Sequence, residues 1–124
     1  MLRFTLSPAA ERDVASILAW TNEHFGEQAR LRYEALLVQA MVDVAEKPDR
    51  PGSAVREEVS RHARTYHLEY SRTHVDAAVG QVRRPRHFLI YRITDERHLD
   101  IGRVLHDSTD LASHLPAEYR ASSD

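Results

Sequence analysis

The segment Ser7-Pro8-Ala9-Ala10-Glu11-Arg12-Asp13-Val14, together with the repeat that follows it, decides the fold. Ser7 is a preferred N-cap residue, and Pro8 suits the first helical position, where its missing N–H costs nothing. From there, mostly apolar residues recur at steps of three and four, as on one face of a helix; they are Ala10, Val14, Ile17, Leu18, Thr21 and Phe25. The sequence therefore predicts an amphipathic helix that begins at Pro8.

A second helix is predicted directly after the first. Gly26 stands where a helix favours a residue with positive φ at its end. The same spacing then recurs in Ala29, Tyr33, Leu36, Leu37, Ala40 and Val44. This helix must end by Lys47, because Pro48 disfavours helix in the residue before it. Two amphipathic helices joined by so short a turn form an antiparallel hairpin.

Alternating apolar residues predict one strand before the hairpin and three after it. The predicted strands are Leu2–Leu6, Arg64–Tyr70, His87–Ile93 and His98–Leu105. The segment 48–60 begins as a loop, and Val55–His62 carries at most a helical turn. Aromatic residues at strand spacing usually face a core, so Phe88 and at least two of the tyrosines at 66, 70 and 91 are expected to face the helices.

Two further segments complete the predicted organisation. Ser71–Arg86 is too long for a hairpin connection, so it is predicted to be a loop insertion that is either functional or disordered. Asp107 or Ser108 can cap a short terminal helix that runs through Leu111 and His114. Residues 1–124 are thus expected to form a single α+β domain: an N-terminal strand, a helix hairpin, a three-stranded antiparallel meander and a short C-terminal helix, with both long helices on one sheet face.

Composition excludes several classes of protein. The chain of 124 residues has no Cys, which excludes a disulfide scaffold and a thiol nucleophile. It has no run of 18 apolar residues that could span a membrane and no apolar signal core near the N-terminus, so a cytoplasmic location is expected. No metal-ligand spacing, Gly-x-Ser-x-Gly motif or phosphate-binding glycine loop is present. We therefore expect no metal and no cofactor.

Positive charge is concentrated in the middle of a chain whose net charge is −2. Seven arginines lie between residues 61 and 92, against only Glu69 and Asp76. Arginine binds carboxylate and phosphate groups well, so an anionic partner on one face is one reading, and a solvated sheet surface is the other. Such a partner could be an acidic protein segment, RNA or DNA. The candidate partner-binding residues are Arg61, Arg64, Tyr66, Arg72, Arg83, Arg84, Arg86, Arg92 and Arg103.

Three segments resemble the ParE toxins of the ParE/RelE superfamily in their order and spacing. They are Leu6–Asp13, which leads into the helix hairpin, the strand His87–Arg92, and Ile101–Asp107 with its continuation to Leu111. The resemblance extends over about residues 3–119, and the segment 71–86 fits it least. It implies a toxin of a type II toxin–antitoxin system, bound and inhibited by a ParD-like antitoxin whose C-terminal segment folds onto it.

The resemblance leaves two kinds of target open. ParE-like toxins poison DNA gyrase through a protein contact, whereas RelE-like relatives cleave mRNA on the ribosome with basic side chains near the end of the last strand. Here Leu105–Asp110 contains two carboxylates and no Arg, Lys or Tyr, and His106 is the one weak acid–base candidate. The sequence therefore favours a non-catalytic gyrase poison that meets nucleic acid only indirectly.

On this reading, the hairpin and the sheet form an apolar groove rimmed by arginines, and the antitoxin segment folds into it. The alternatives are a RelE-like ribosome-dependent mRNA endonuclease and a non-toxic binding module or co-repressor that acts with its antitoxin.

Overall fold

The structure, a computed structural model, describes residues 1–58 and 60–109. This part of the chain contains two α-helices and a five-stranded mixed sheet. The elements are β1 (Arg3–Leu6), α1 (Pro8–Phe25), α2 (Glu27–Glu46), β2 (Ser53–Val55), β3 (Ala63–His67), a 3-10 turn (Leu68–Ser71), β4 (His87–Asp95) and β5 (His98–His106). No helix in these residues is long and apolar enough to cross a membrane.

The strand order is β1-β5-β4-β3-β2. β1 pairs with β5 in parallel, with Phe4 opposite Leu99, whereas the other pairs are antiparallel. Parallel pairing needs a long crossover between the strands, and the helix hairpin begins that connection. The last three strands form the predicted antiparallel meander, and β2 extends it by one short edge strand.

The predicted start and end of the helices are confirmed. The Ser7 hydroxyl accepts a hydrogen bond from the Ala10 N–H at 3.0 Å and donates one to the Gly102 carbonyl at 2.7 Å. The same side chain therefore caps α1 and fixes it to β5. Gly26, with φ +92°, separates the two helices, and α2 ends at Glu46, before Pro48.

The main core lies between the hairpin and one sheet face. Its buried members include Leu36, Leu37 and Val44 of α2, packed against β3, β4 and β5 residues such as Tyr66, Tyr91 and Ile101. Tyr66 and Tyr91 thus face the helices as expected, while Tyr70 remains 47% exposed. The expectation for Phe88 was wrong. Strand alternation places it on the opposite face, where it packs with Ala63, Ile90 and Leu105.

The structure corrects two local predictions. Ser53–Val55 is a strand that pairs with β3, where a loop was expected. After it, the Ser60 N–H donates to the Arg56 carbonyl at 3.1 Å, the hydrogen bond of a single helical turn, as predicted for Val55–His62. The strand predicted to reach Tyr70 ends at His67, whose ring accepts the Glu69 N–H and begins the 3-10 turn. The Ser71 hydroxyl then donates to the Asp43 carboxylate of α2 and accepts from the Tyr66 hydroxyl of β3, which holds that turn against the domain.

Between the 3-10 turn and β4, residues 72–86 form neither helix nor strand. This 72–86 segment nevertheless packs onto the domain, since Val75 and Val82 contact the main core and Pro85 is buried. The C-terminal helix predicted through Leu111 and His114 lies outside the described residues.

Candidate functional site

An open cleft of about 1070 Å³ lies between the helix hairpin and the end of the 72–86 segment. Both helices, that segment and the adjoining ends of β4 and β5 contribute to it. The lining residues are Ser16, Ile17, Trp20, Thr21, Phe25, Ala29, Arg32, Tyr33, Gly80, Gln81, Val82, Arg83, Arg84, Arg86, His87 and His106. We refer to this feature as the arginine-rimmed cleft.

Exposed aromatic side chains form the hairpin side of the cleft. Trp20 is 54% exposed and Phe25 is 67% exposed, and their rings meet edge to face at 5.6 Å. The expectation that Phe25 would be buried with the rest of its stripe was wrong, because it lies at the hairpin tip and faces the cleft instead of the core. Exposed apolar surface of this kind is typical of a partner-binding site.

Arginines dominate the charge of the cleft. Arg83, Arg84 and Arg86 come from the 72–86 segment, and Arg32 comes from α2 across from them. Among the described residues that line the cleft, none is acidic. Within the same part of the chain, no salt bridge joins Arg32, Arg83 or Arg84 to a carboxylate. The cleft is therefore strongly cationic although the whole chain carries a net charge of −2.

A tyrosine–histidine pair, with Tyr33 buried and His87 partly buried, stands where the cleft meets the sheet. The Tyr33 hydroxyl lies 2.6 Å from His87 Nδ1 and accepts the Arg86 N–H at 3.1 Å. Burial lowers the pKa of His87 to about 4, and the nearby His106 contributes to the shift. Burial also raises the pKa of Tyr33 to about 12. At neutral pH we infer that Tyr33 donates to the unprotonated Nδ1 of a neutral His87.

Asp107 holds a second group of polar side chains beside this pair. Arg86 donates to it through Nε and Nη2, each at 3.0 Å from its nearer oxygen, and His67 Nε2 lies 3.2 Å away. These contacts, Arg86 foremost, lower the pKa of Asp107 to about 2. His106 is exposed, and its Nδ1 lies 2.8 Å from the Ser108 hydroxyl.

Sequence reasoning missed this cluster because its members are distant along the chain. The strand register places His87 opposite His106 and His67 opposite Phe88, so three strands bring a histidine to the same end of the sheet. The available signal was that each of the three late predicted strands has one of these histidines within it or directly after it. Tyr33 reaches the cluster from α2. Its place on the apolar stripe of that helix predicted only that it lies in the core.

The predicted arginines do not form one continuous surface. Arg83, Arg84 and Arg86 line the cleft, and Arg72 supports them by donating to the Arg83 carbonyl at 3.0 Å. The others lie elsewhere: Arg61 on the exposed turn before β3, Arg64 and Arg92 at the far end of the sheet, and Arg103 on β5 against Asp13 of α1.

Three of the candidate partner-binding residues have contacts within the domain that explain their presence without a partner. Arg103 Nε binds the Asp13 carboxylate at 2.7 Å, and the same carboxylate accepts the Val104 N–H. Arg64 donates to the Ser53 hydroxyl across the β2–β3 pair. Tyr66 is fully buried in the core, so its ring presents no surface to a partner.

No group of three or more potential ligands in residues 1–58 and 60–109 is arranged to hold a metal ion. No curated protein matches the chain. A family model does match it over residues 4–111, and that model describes the ParE toxin of the type II toxin–antitoxin system parDE. Since the match extends over most of the sequence, the chain belongs to the ParE toxin family of type II toxin–antitoxin systems.

Proposed function

We propose that this toxin acts by docking rather than by catalysis, and that an acidic, amphipathic antitoxin segment neutralises it by binding in the arginine-rimmed cleft. The observation that carries the proposal is one cleft in which two aromatic rings are exposed, no described lining residue is acidic, and Arg32, Arg83 and Arg84 form no salt bridge among the described residues. An apolar stripe on the antitoxin segment would cover Trp20 and Phe25, while its acidic side chains would meet the arginines.

The partner proposed for the cleft is a ParD-like antitoxin. A segment that is disordered when free can wrap a large surface as it folds, although it loses conformational entropy on binding. The cleft is open, has walls from both helices and the 72–86 segment, and at about 1070 Å³ has room for a peptide segment.

The proposed target is DNA gyrase, reached in the cytoplasm through a protein contact. The state of the polar cluster supports a non-catalytic action. Asp107 already occupies the guanidinium of Arg86, and burial holds His87 in its neutral form. Neither side chain is therefore positioned as a ready donor to a scissile phosphate.

The second candidate function is cleavage of RNA, favoured by the proximity of His87 and His106, whose ring centroids are 5.4 Å apart. In that reaction, one histidine would take the proton of a 2′-hydroxyl and another group would protonate the leaving 5′-oxygen. The Asp107 carboxylate next to His106 opposes this reading because it repels phosphate.

The test of cleft binding is a charge reversal with a matched control. We expect Arg83→Glu/Arg84→Glu to weaken binding of the antitoxin encoded beside this gene by at least tenfold. Arg61→Glu/Arg97→Glu changes the net charge equally at exposed sites away from the cleft and should retain binding. Equal affinity of both double variants would contradict the proposed docking site.

The test of the toxic action is induction without the antitoxin. We expect growth arrest with cleaved chromosomal DNA and with intact ribosome-bound messages. Cut messages would support the endonuclease alternative, and normal growth would support the non-toxic binding module.

A further inference from the structure

A buried carboxylate on α2 holds the start of the 72–86 segment. Asp43 is 4% exposed, and its oxygens accept hydrogen bonds from the Ser71 hydroxyl at 2.5 Å, His74 Nδ1 at 2.7 Å and Gln39 Nε2 at 2.9 Å. Burial by itself raises the pKa of Asp43, but these bonds and the nearby Arg50 charge outweigh it and lower the pKa below its usual value. Asp43 is therefore a buried anion with several donors.

The segment that Asp43 holds is the one that forms the arginine side of the cleft. Ser71 immediately precedes it and His74 lies near its beginning, whereas Arg83, Arg84 and Arg86 lie near its end. Since the segment has no helix or strand of its own, its position depends on individual contacts with the domain. Asp43 does not line the cleft.

We propose that Asp43 is a positioning residue of the arginine-rimmed cleft: through Ser71 and His74 it holds the 72–86 segment on α2 and so fixes where the cleft arginines stand. Its consequence for antitoxin affinity rests on the proposed function, whereas the positioning itself does not. Loss of the carboxylate charge weakens the bond to Ser71, just before the segment, and the bond to His74, within it, because hydrogen bonds to a charged acceptor are the stronger kind.

The decisive experiment measures hydrogen exchange of the backbone amides of residues 75–86 in the antitoxin-free protein. We expect Asp43→Asn, which preserves the shape of the side chain, to speed exchange there by roughly tenfold or more. This factor corresponds to the free energy of about one charge-assisted hydrogen bond. Val44→Ala is the matched control, since it removes buried core contacts from the neighbouring position on α2. It should leave exchange in this segment within about twofold of the protein without substitutions.

Limited digestion with trypsin gives a second measurement at Arg83, which is exposed and followed by Arg84. Cleavage between these residues should accelerate in Asp43→Asn and not in Val44→Ala. If Asp43→Asn fails to fold, His74→Ala removes one of the same bonds from a partly exposed position and is expected to accelerate both exchange and cleavage.

A double-mutant cycle separates positioning from a general loss of stability. Because His74 is proposed to act through Asp43, the double variant Asp43→Asn/His74→Ala should exchange no faster than Asp43→Asn alone. Unchanged exchange in Asp43→Asn, or equal acceleration in Val44→Ala, would overturn the inference. An antitoxin that binds outside the cleft would overturn the proposed function and leave this result unaffected.

Discussion

His87 should make the stability of this toxin depend on pH between about 6.5 and 4. Partial burial in the folded chain lowers the pKa of this histidine from 6.5 to about 4, so the unfolded chain binds a proton at a higher pH than the folded chain does. The free energy that a neutral His87 contributes to folding is therefore fully present above pH 6.5. It is lost as the pH falls from 6.5 through about 4. Replacing His87 with Asn removes the titration while leaving an acceptor near the position of Nδ1, for the bond from Tyr33.

The size of the effect follows from the gap between the two pKa values. Each pH unit of that gap is worth about 1.4 kcal/mol, so the fall from 6.5 to about 4 corresponds to about 3 kcal/mol of unfolding free energy. Asp43 and Asp107 also have shifted pKa values, but both are lowered from 3.8, so their contributions change below this window.

The assay is urea unfolding followed by far-ultraviolet circular dichroism at pH 7 and at pH 4. We expect the unfolding free energy of the protein without substitutions to fall by about 3 kcal/mol more than that of His87→Asn over this interval. Equal falls in the two proteins would refute the assignment of a buried neutral His87 and, with it, the proposed direction of its hydrogen bond with Tyr33.

Three further predictions concern single contacts. Ser7→Ala should lower the unfolding free energy by about 1 kcal/mol at neutral pH, because it removes the N-cap of α1 and the bond to Gly102, and thermal unfolding would detect the loss. Asp13→Ala should cost about 2 kcal/mol because it removes the carboxylate that binds Arg103 and accepts the Val104 N–H, and a smaller loss than Ser7→Ala would contradict this ranking. Because the pKa of Asp107 is lowered, its charge stabilises the fold above pH 3.8, and this contribution is lost as the pH falls towards about 2. In Asp107→Asn the unfolding free energy should therefore fall less steeply with pH over this interval.

The helix hairpin could be predicted because local chemistry specifies it. Ser7 and Pro8 define the start of α1, Gly26 supplies the positive φ between the helices, and Pro48 limits α2. These signals act within a few residues and do not depend on the rest of the fold. The 3-10 turn after His67 could not be predicted in this way, because it depends on a hydrogen bond from Ser71 to a carboxylate on α2.

The candidate site was predicted only in part. The concentration of arginine gave the sign of its charge, but only the structure separates the three arginines at positions 83, 84 and 86 from those at the far end of the sheet. Spacing along the chain does not show that a Tyr33 hydroxyl meets His87, since that contact depends on how α2 crosses the sheet. Spacing likewise does not show that Phe25, the last residue of the α1 stripe, lies at the hairpin tip and faces the cleft.

The most direct test of docking without catalysis adds the purified toxin to DNA gyrase and supercoiled plasmid. We predict that cleaved DNA accumulates in a gyrase-dependent reaction, to the same extent with the unsubstituted toxin and with His106→Ala. Unaffected gyrase, together with ribosome-bound transcripts that are cut only when His106 is present, would contradict the account.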